Sequence, residues 1–119
     1  MKLIFVAAYF VLLSFTSADK LTGRWETKPS GNGNVTGVVF KEDGSFMAYV
    51  NKKPFVSGNY TVADSIFTFT DNGCMGMPGV YKLIFFSNSD SLRFEVVNDD
   101  CTDRREGMLR TVLGKVNEE

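Results

Sequence analysis

Residue types that support catalysis are scarce in this chain. It contains no histidine and only two cysteines. Serine and cysteine nucleophiles are commonly activated by a neighbouring imidazole, and histidine is a frequent zinc ligand, so the absence of histidine excludes these kinds of site. Two carboxylates can act as acid and base without histidine, but in a chain of 119 residues we interpret them as surface charges. We expect no catalytic residues, no metal site and no cofactor.

Sulfur is concentrated in one short stretch, CMGM, which contains Cys74, Met75 and Met77. Soft sulfur ligands suit copper, but a copper site here requires a free thiol, and Cys101 offers a pairing partner. Methionine is flexible and polarisable, so Met75 and Met77 are candidates for an apolar lip that contacts a ligand. The alternative is that they cap the core.

A second stretch, NDDCTDRRE at 98–106, concentrates charge. Arginine binds carboxylates through paired hydrogen bonds, so Arg104 and Arg105 are candidates for anchoring the head group of an anionic ligand. The alternative is that these are solvated loop charges and aspartate-led turns. The aspartates lack the spacing of a known calcium loop.

The elements that must position these residues are strands. SLRFEVV at 91–97 alternates apolar and polar residues, which is typical of a half-buried antiparallel strand. The same pattern recurs between Gly, Asn, Asp and Pro residues along the chain and indicates no helix. We predict eight strands, at about 21–28, 35–41, 45–51, 55–62, 66–71, 79–86, 91–98 and 107–114. The fold class is all-β, an eight-stranded antiparallel up-and-down barrel, because closure removes both exposed edges.

The connections place the two cysteines at one end of this barrel. Those after the second, fourth and sixth strands are tight turns, at 42–45, 63–65 and 87–91. The others are longer, at 29–34, 51–54, 71–79 and 99–106. Connections of the same parity share an end of a meander, and Cys74 and Cys101 both lie in odd connections. We therefore predict a disulfide between them, with free thiols as the alternative.

The first residues predict export. Lys2 precedes an apolar run at 3–15, and TSA at 16–18 supplies the small residues of a cleavage site after Ala18. A membrane anchor is the alternative, but the run is shorter than the roughly 20 residues of a spanning helix. We predict a signal peptide at 1–18, one domain at 19–119 and a secreted or periplasmic location. The net charge of −1 indicates no nucleic-acid surface.

LTGRWE at 21–26, with Gly23 two residues before Trp25, resembles the start of the first strand in the lipocalin or calycin group. FKEDGSF, SGNYTV, GVYKL and NDDCTDRRE are similar to stretches of small secreted lipocalin-like domains of bacteria. The resemblance implies that Trp25 closes the bottom of the barrel and that a basic side chain from the last strand covers its ring. Arg110 is our candidate for that side chain, with Lys115 as the other possibility. The chain is shorter than classical lipocalins, and we expect no helix after the barrel.

Alternation also predicts which side chains point inward. These are Phe46, Ala48, Val56, Tyr60, Val62, Phe67, Phe69, Tyr81, Leu83, Phe85, Leu92, Phe94, Val96, Leu109 and Leu113. They form either a fully packed core or the wall of a small apolar pocket, and Tyr60, Tyr81 and Phe85 are candidate ligand contacts.

The resemblance and the loop composition together suggest a function. We expect a monomeric exported protein that binds a small hydrophobic or amphipathic ligand at the end carrying the cysteines. The alternative is a protein-interaction or inhibitor module built on a filled barrel.

Overall fold

A computed structural model describes residues 16–117, in which eight antiparallel strands form a closed barrel. Each strand pairs with the next along the chain, and the last pairs with the first. The strands are β1 (Gly23–Glu26), β2 (Thr36–Phe40), β3 (Ser45–Val50), β4 (Lys53–Ala63), β5 (Ile66–Asp71), β6 (Gly79–Phe86), β7 (Ser91–Asp99) and β8 (Val112–Lys115). The predicted up-and-down barrel is thus confirmed at the level of its topology.

The core follows from the two-residue period of the strands. Directly paired residues of neighbouring strands share a face, and the register pairs Phe40 with Phe46, Leu83 with Phe94, and Leu92 with Leu113. These side chains are buried in one apolar cluster, whose members are Leu21, Trp25, Phe40, Phe46, Phe67, Phe69, Tyr81, Leu83, Leu92, Phe94 and Leu113. Most of the inward positions predicted from alternation belong to this cluster or pack against it.

The prediction fails after β7. Instead of a strand at 107–114, the chain forms helix α2 (Thr102–Arg110) and then the four-residue strand β8. Leu109 therefore does not point into the barrel; it lies on the helix and is exposed. Val96 is also exposed, beside a bulge in which Val97 is the extra residue of β7. Among the described residues, β8 is the last element.

The two ends of the barrel differ in their covering. The connections after β2, β4 and β6 lie at one end, called here the closed end, together with helix α1 (Ser17–Leu21). The odd connections and α2 lie at the opposite, open end. One connection there is shorter than predicted: only Asn51 and Lys52 separate β3 from β4, with φ of 51° and 73°, as in the tight hairpin turns that match strand twist.

Trp25 fills the closed end. Its side chain is fully buried, its Nε1 donates to the Leu21 carbonyl at 2.8 Å, and its ring centroid lies 6.1 Å from that of Phe85. The basic side chain over the indole is that of Lys115, whose Nζ is 4.9 Å from the ring centroid and donates to the Thr22 carbonyl at 2.5 Å. Burial lowers the pKa of Lys115.

Our candidate for this role, Arg110, was wrong. It ends α2 at the open end, whereas Lys115 ends β8 and is paired with Trp25 in the register of β1 and β8. Gly23 belongs to the same arrangement. Its φ is +127°, and a Cβ there would lie 2.8 Å from the Lys115 Nζ, so any larger residue would be strained and would displace the lysine.

The predicted cleavage site lies within α1. Thr16 and Asp19 form a reciprocal capping box across Ala18, and Leu21 is fully buried beneath the barrel. Residues 1–15 of the predicted signal peptide lie outside the described residues, so cleavage after Ala18 stays a prediction. Within 16–117, no helix has the length and apolar character needed to cross a bilayer.

The pairing of Lys115 with Trp25 predicts a contrast between two cationic residues. Lys115→Met keeps most of the aliphatic stem but removes the ammonium, so we expect the unfolding free energy to fall by about 1–2 kcal/mol through loss of the cation–π contact and of the bond to Thr22. Arg110→Met is the control and should change stability by less than about 0.5 kcal/mol. Urea unfolding followed by circular dichroism measures both. A larger loss for Arg110→Met would contradict this assignment.

Candidate functional site

The barrel is not filled, because a cavity of 580 Å³ opens at the end that carries the disulfide. Its volume lies within the range of about 300–1,000 Å³ found for small-molecule sites. Five buried phenylalanines form most of its inner wall: Phe40, Phe46, Phe67, Phe69 and Phe94. Phe67 connects several of these rings, with its centroid 5.7 Å from that of Phe40, 5.1 Å from Phe69 and 6.0 Å from Phe94. The interior is therefore an aromatic surface held by ring-to-ring contacts.

Helix α2 covers part of the opening. Arg104, Gly107, Met108 and Thr111 all line the cavity, and their spacing of three and four residues places them on one face of the helix and its C-cap. The smallest of them is Gly107, where an added Cβ would meet no atom within 4 Å. The helix consequently leaves free space above the cavity at Gly107.

A buried carboxylate anchors α2 to the barrel. Asp99 ends β7, is 2% exposed and accepts hydrogen bonds from Arg104 Nε at 2.9 Å and from a terminal nitrogen of Arg104 at 2.8 Å. It also accepts a short hydrogen bond from the Tyr81 hydroxyl and one of 3.0 Å from the Cys101 backbone. Its own carbonyl accepts from Arg105 at 2.9 Å. One acidic group thus joins β6, β7 and the start of α2.

Arg104 extends this network across the opening. Its guanidinium donates to Asp71 at the end of β5 at 3.4 Å and to the Met77 carbonyl at 3.0 Å. Its central carbon lies 4.8 Å from the centroid of the Phe69 ring, and its side chain is 9% exposed. The Arg104 guanidinium therefore already contacts two carboxylates, one carbonyl and one aromatic ring.

The network sets the charge states of its members. Burial alone would raise the pKa of Asp99, but the hydrogen bonds from Arg104, Tyr81 and Cys101 outweigh burial and hold that pKa below its ordinary value. Burial, reinforced by the neighbouring Asp99 carboxylate, raises the pKa of the Tyr81 hydroxyl. At neutral pH the group is therefore an aspartate anion that accepts from a neutral phenol and a guanidinium cation.

The predicted disulfide is present. Cys74 and Cys101 are bonded, with their Cα atoms 5.9 Å apart, which joins a short 3₁₀ turn over Cys74–Gly76 to the N-cap of α2. Cys74 lines the cavity, so the bond fixes part of the opening. Among the described residues, no group of three or more His, Cys, Asp or Glu is arranged to hold a metal ion.

The other predicted contacts at the open end lie away from the cavity surface. Met75 is 96% exposed and Met77 is 37% exposed, and neither lines the cavity. Arg105 binds the Asp99 carbonyl instead of facing the cavity. Of the four residues proposed as an amphipathic lip, only Arg104 borders the cavity, because the 3₁₀ turn projects the methionines outward.

The three aromatic candidates serve other parts of the fold. The Tyr60 hydroxyl donates to the Lys41 carbonyl at 2.6 Å at the closed end, and Phe85 lies against Trp25. Tyr81 is fully buried and bound to Asp99. None of the three lines the cavity.

Sequence reasoning missed the part that α2 plays. Gly107 disfavours a helix, α2 has no side-chain cap at Cys101, and Met108 is the one apolar residue on its cavity face. A spacing of three and four through Arg104, Gly107, Met108 and Thr111 was the available signal. It is weak, because only one of the four is apolar.

No model of a known protein family matches the chain, and no curated protein matches it. The closed antiparallel barrel of eight strands is compatible with a calycin-like fold. A functional assignment consequently depends on the geometry of the cavity and its opening.

The disulfide predicts a large difference between two neighbouring substitutions. Replacing both Cys74 and Cys101 by serine removes a link across 27 positions, and we expect this to lower the unfolding free energy by about 3 kcal/mol. Met75→Ser is the control; with its side chain in solvent it should change stability by less than about 0.5 kcal/mol. Intact mass measurement before and after reduction establishes the bond, and urea titration measures both effects. Equal stability of the double variant and the wild type would contradict the prediction.

The charge state of Asp99 predicts a pH dependence. The folded pKa lies below the ordinary value of 3.8, so the stabilisation is complete above that value and is lost as pH falls through the folded pKa. Asp99→Asn leaves the Arg104 charge without its main partner and should cost about 3–5 kcal/mol at neutral pH. This deficit should shrink as the pH is lowered below about 4.

Urea titrations of the wild type and Asp99→Asn between about pH 7 and pH 3 measure this change. The control is Asp100→Asn, which alters an exposed neighbour and should run parallel to the wild type. A deficit for Asp99→Asn that is constant with pH would show that Asp99 is not an anion in the folded protein.

Proposed function

We propose that this chain is an exported, lipocalin-like protein that holds a small hydrophobic or amphipathic molecule in its barrel cavity. The observation that carries the proposal is the 580 Å³ space behind aromatic walls, open at one end. Deep apolar concavities with a few polar groups near the entrance are characteristic of small-molecule sites.

The lipocalin-like assignment is supported by the closed end. The resemblance implied a glycine, a tryptophan and a basic side chain over its ring, and Gly23, Trp25 and Lys115 have this arrangement. Export is supported by the disulfide, since such bonds persist in oxidising compartments, and by the leader-like sequence at 1–18.

The binding energy in this proposal comes from apolar contact. Transfer of apolar surface from water contributes roughly 25 cal/mol per Å², and the walls are already ordered by ring contacts and strand pairing. A preformed site avoids much of the ordering cost of binding. Specificity for shape would arise from the phenylalanine wall, and orientation from the polar groups at the opening.

The proposal is tested by closing the opening with one side chain. Gly107→Trp places an indole on the cavity face of α2 where the backbone has free space. We expect it to weaken binding of 2-(2-naphthyl)ethanol and of 1-decanol at least about tenfold, which is about 1.4 kcal/mol, in isothermal titration calorimetry. Native mass spectrometry of protein from its own source identifies any molecule that co-purifies.

Gly107→Ala is the matched control. Alanine leaves the opening clear and favours the helix by about 1 kcal/mol, so this variant should bind both probes like the wild type and melt a few degrees higher. Equal binding by the alanine and tryptophan variants would place the ligand elsewhere. If wild-type protein binds neither probe and carries no co-purified molecule, the proposal fails. The alternative, a protein-interaction or inhibitor module using the exposed open-end loops, would then be favoured.

A further inference from the structure

The rim of the cavity is aromatic as well as its interior. Phe55 on β4 lines the cavity and remains 60% exposed, so one of its surfaces is available to a bound molecule. The face of a phenyl ring carries the negative part of its quadrupole, which attracts a cation more than an anion. A charged group resting at this rim is therefore favoured if it is positive.

The cation on the cavity surface is not available to an anionic ligand. Arg104 already binds Asp99 through two nitrogens, and it also contacts Asp71 and the Met77 carbonyl. A ligand carboxylate would have to displace Asp99 from Arg104 and leave that buried carboxylate without its charged partner, and an unpaired buried charge is costly. Because Arg104 is already paired, we do not expect it to bind the anionic head group that was predicted from the sequence.

Among the charged residues that line the cavity, the one without an ion-pair partner is negative. Lys52 and Lys53 lie at the same end of the barrel but do not line the cavity. Asp103 lines the cavity from the first turn of α2, is exposed, and forms no ion pair within the described part of the chain. The charged residues on the cavity surface are Asp71, Asp103 and Arg104, so their net charge is −1. Asn72, at the same opening, uses its Oδ1 to accept from the Ser57 backbone.

We infer that the molecule held in the cavity carries a protonated amine, with its apolar or aromatic body against the phenylalanine wall and its ammonium between Asp103 and Phe55. The inference rests on the proposed function and narrows it to a class of ligand. Asp103 supplies the opposite charge, Phe55 supplies an aromatic face, and Arg104 repels the amine only weakly because Asp99 and Asp71 neutralise it. The ligand would then enter body first and leave its charge at the surface.

Three probes that share one body separate charge from shape. They are 2-(2-naphthyl)ethylamine, 2-(2-naphthyl)ethanol and 3-(2-naphthyl)propanoate, each titrated into the wild-type protein by calorimetry at neutral pH. We expect the amine to bind about tenfold more tightly than the alcohol, the carboxylate to bind least tightly, and the preference for the amine to decrease between about 0.05 and 0.5 M salt as screening increases.

Two isosteric variants on α2 identify the carboxylate responsible. Asp103→Asn should remove most of the preference for the amine over the alcohol. Glu106→Gln is the matched control: it removes the same charge from the same helix, but Glu106 is exposed and does not line the cavity. It should keep at least about half of the preference, because screened charges act weakly at a distance.

The outcomes distinguish this inference from the proposed function. Binding of the alcohol without preference for the amine, or a preference that Asp103→Asn leaves intact, would overturn the inference and leave the proposed function standing. If Asp103→Asn lowers the melting temperature without changing the preference, Asp103 serves only the helix N-terminus, and the inference is again overturned. Failure of all three probes to bind would overturn the inference, and the proposed function fails with it if 1-decanol also does not bind and no molecule co-purifies.

Discussion

The buried carboxylate of Asp99 is the interaction on which the open end depends. Groups from β6, from the N-cap of α2 and from the first two turns of α2 donate hydrogen bonds to Asp99, so its ionised state fixes where the helix begins. Arg104 then carries the constraint to Asp71 and to the Met77 carbonyl. The disulfide repeats the same connection covalently between Cys74 and Cys101. Without these charged groups, only the disulfide and the packing of Met108 against the core would hold the polar helix α2 over an apolar cavity.

The two ends of the barrel are determined by different residues. At the closed end, the first and last strands are joined by the packing of Lys115 over Trp25 beside Gly23, and by the hydrogen bond from the Lys115 ammonium to the Thr22 carbonyl. At the open end, the Asp99–Arg104 ion pair and the Cys74–Cys101 disulfide join α2 to the barrel. The phenylalanine wall lies between the two ends, on β2, β3, β5 and β7. Residues that would contact a ligand at the rim, such as Asp103 and Phe55, contribute to neither set of constraints and are free to define specificity.

Much of the barrel follows from the sequence because its strands alternate, and alternation directly encodes which face is buried. The parity of the connections placed Cys74 and Cys101 together for the same reason. The site was less predictable, since it depends on α2, whose residues carry no apolar period. Arg104 was expected to meet a ligand, but no pattern in NDDCTDRRE shows that Asp99 would be buried and would take its charge. The outward direction of Met75 depends on a 3₁₀ turn with a φ of 54° at that residue, a conformation that sequence favours mainly for glycine and asparagine.

The position of Trp25 has a spectroscopic consequence. It is the only tryptophan in the chain, it is fully buried, and it does not line the cavity. Its emission should therefore be that of an indole shielded from water, with Lys115 as the nearest charge above the ring. Because β1 and β8 meet at this residue, tryptophan fluorescence reports whether the barrel is closed. It should change little when a molecule binds at the opposite end.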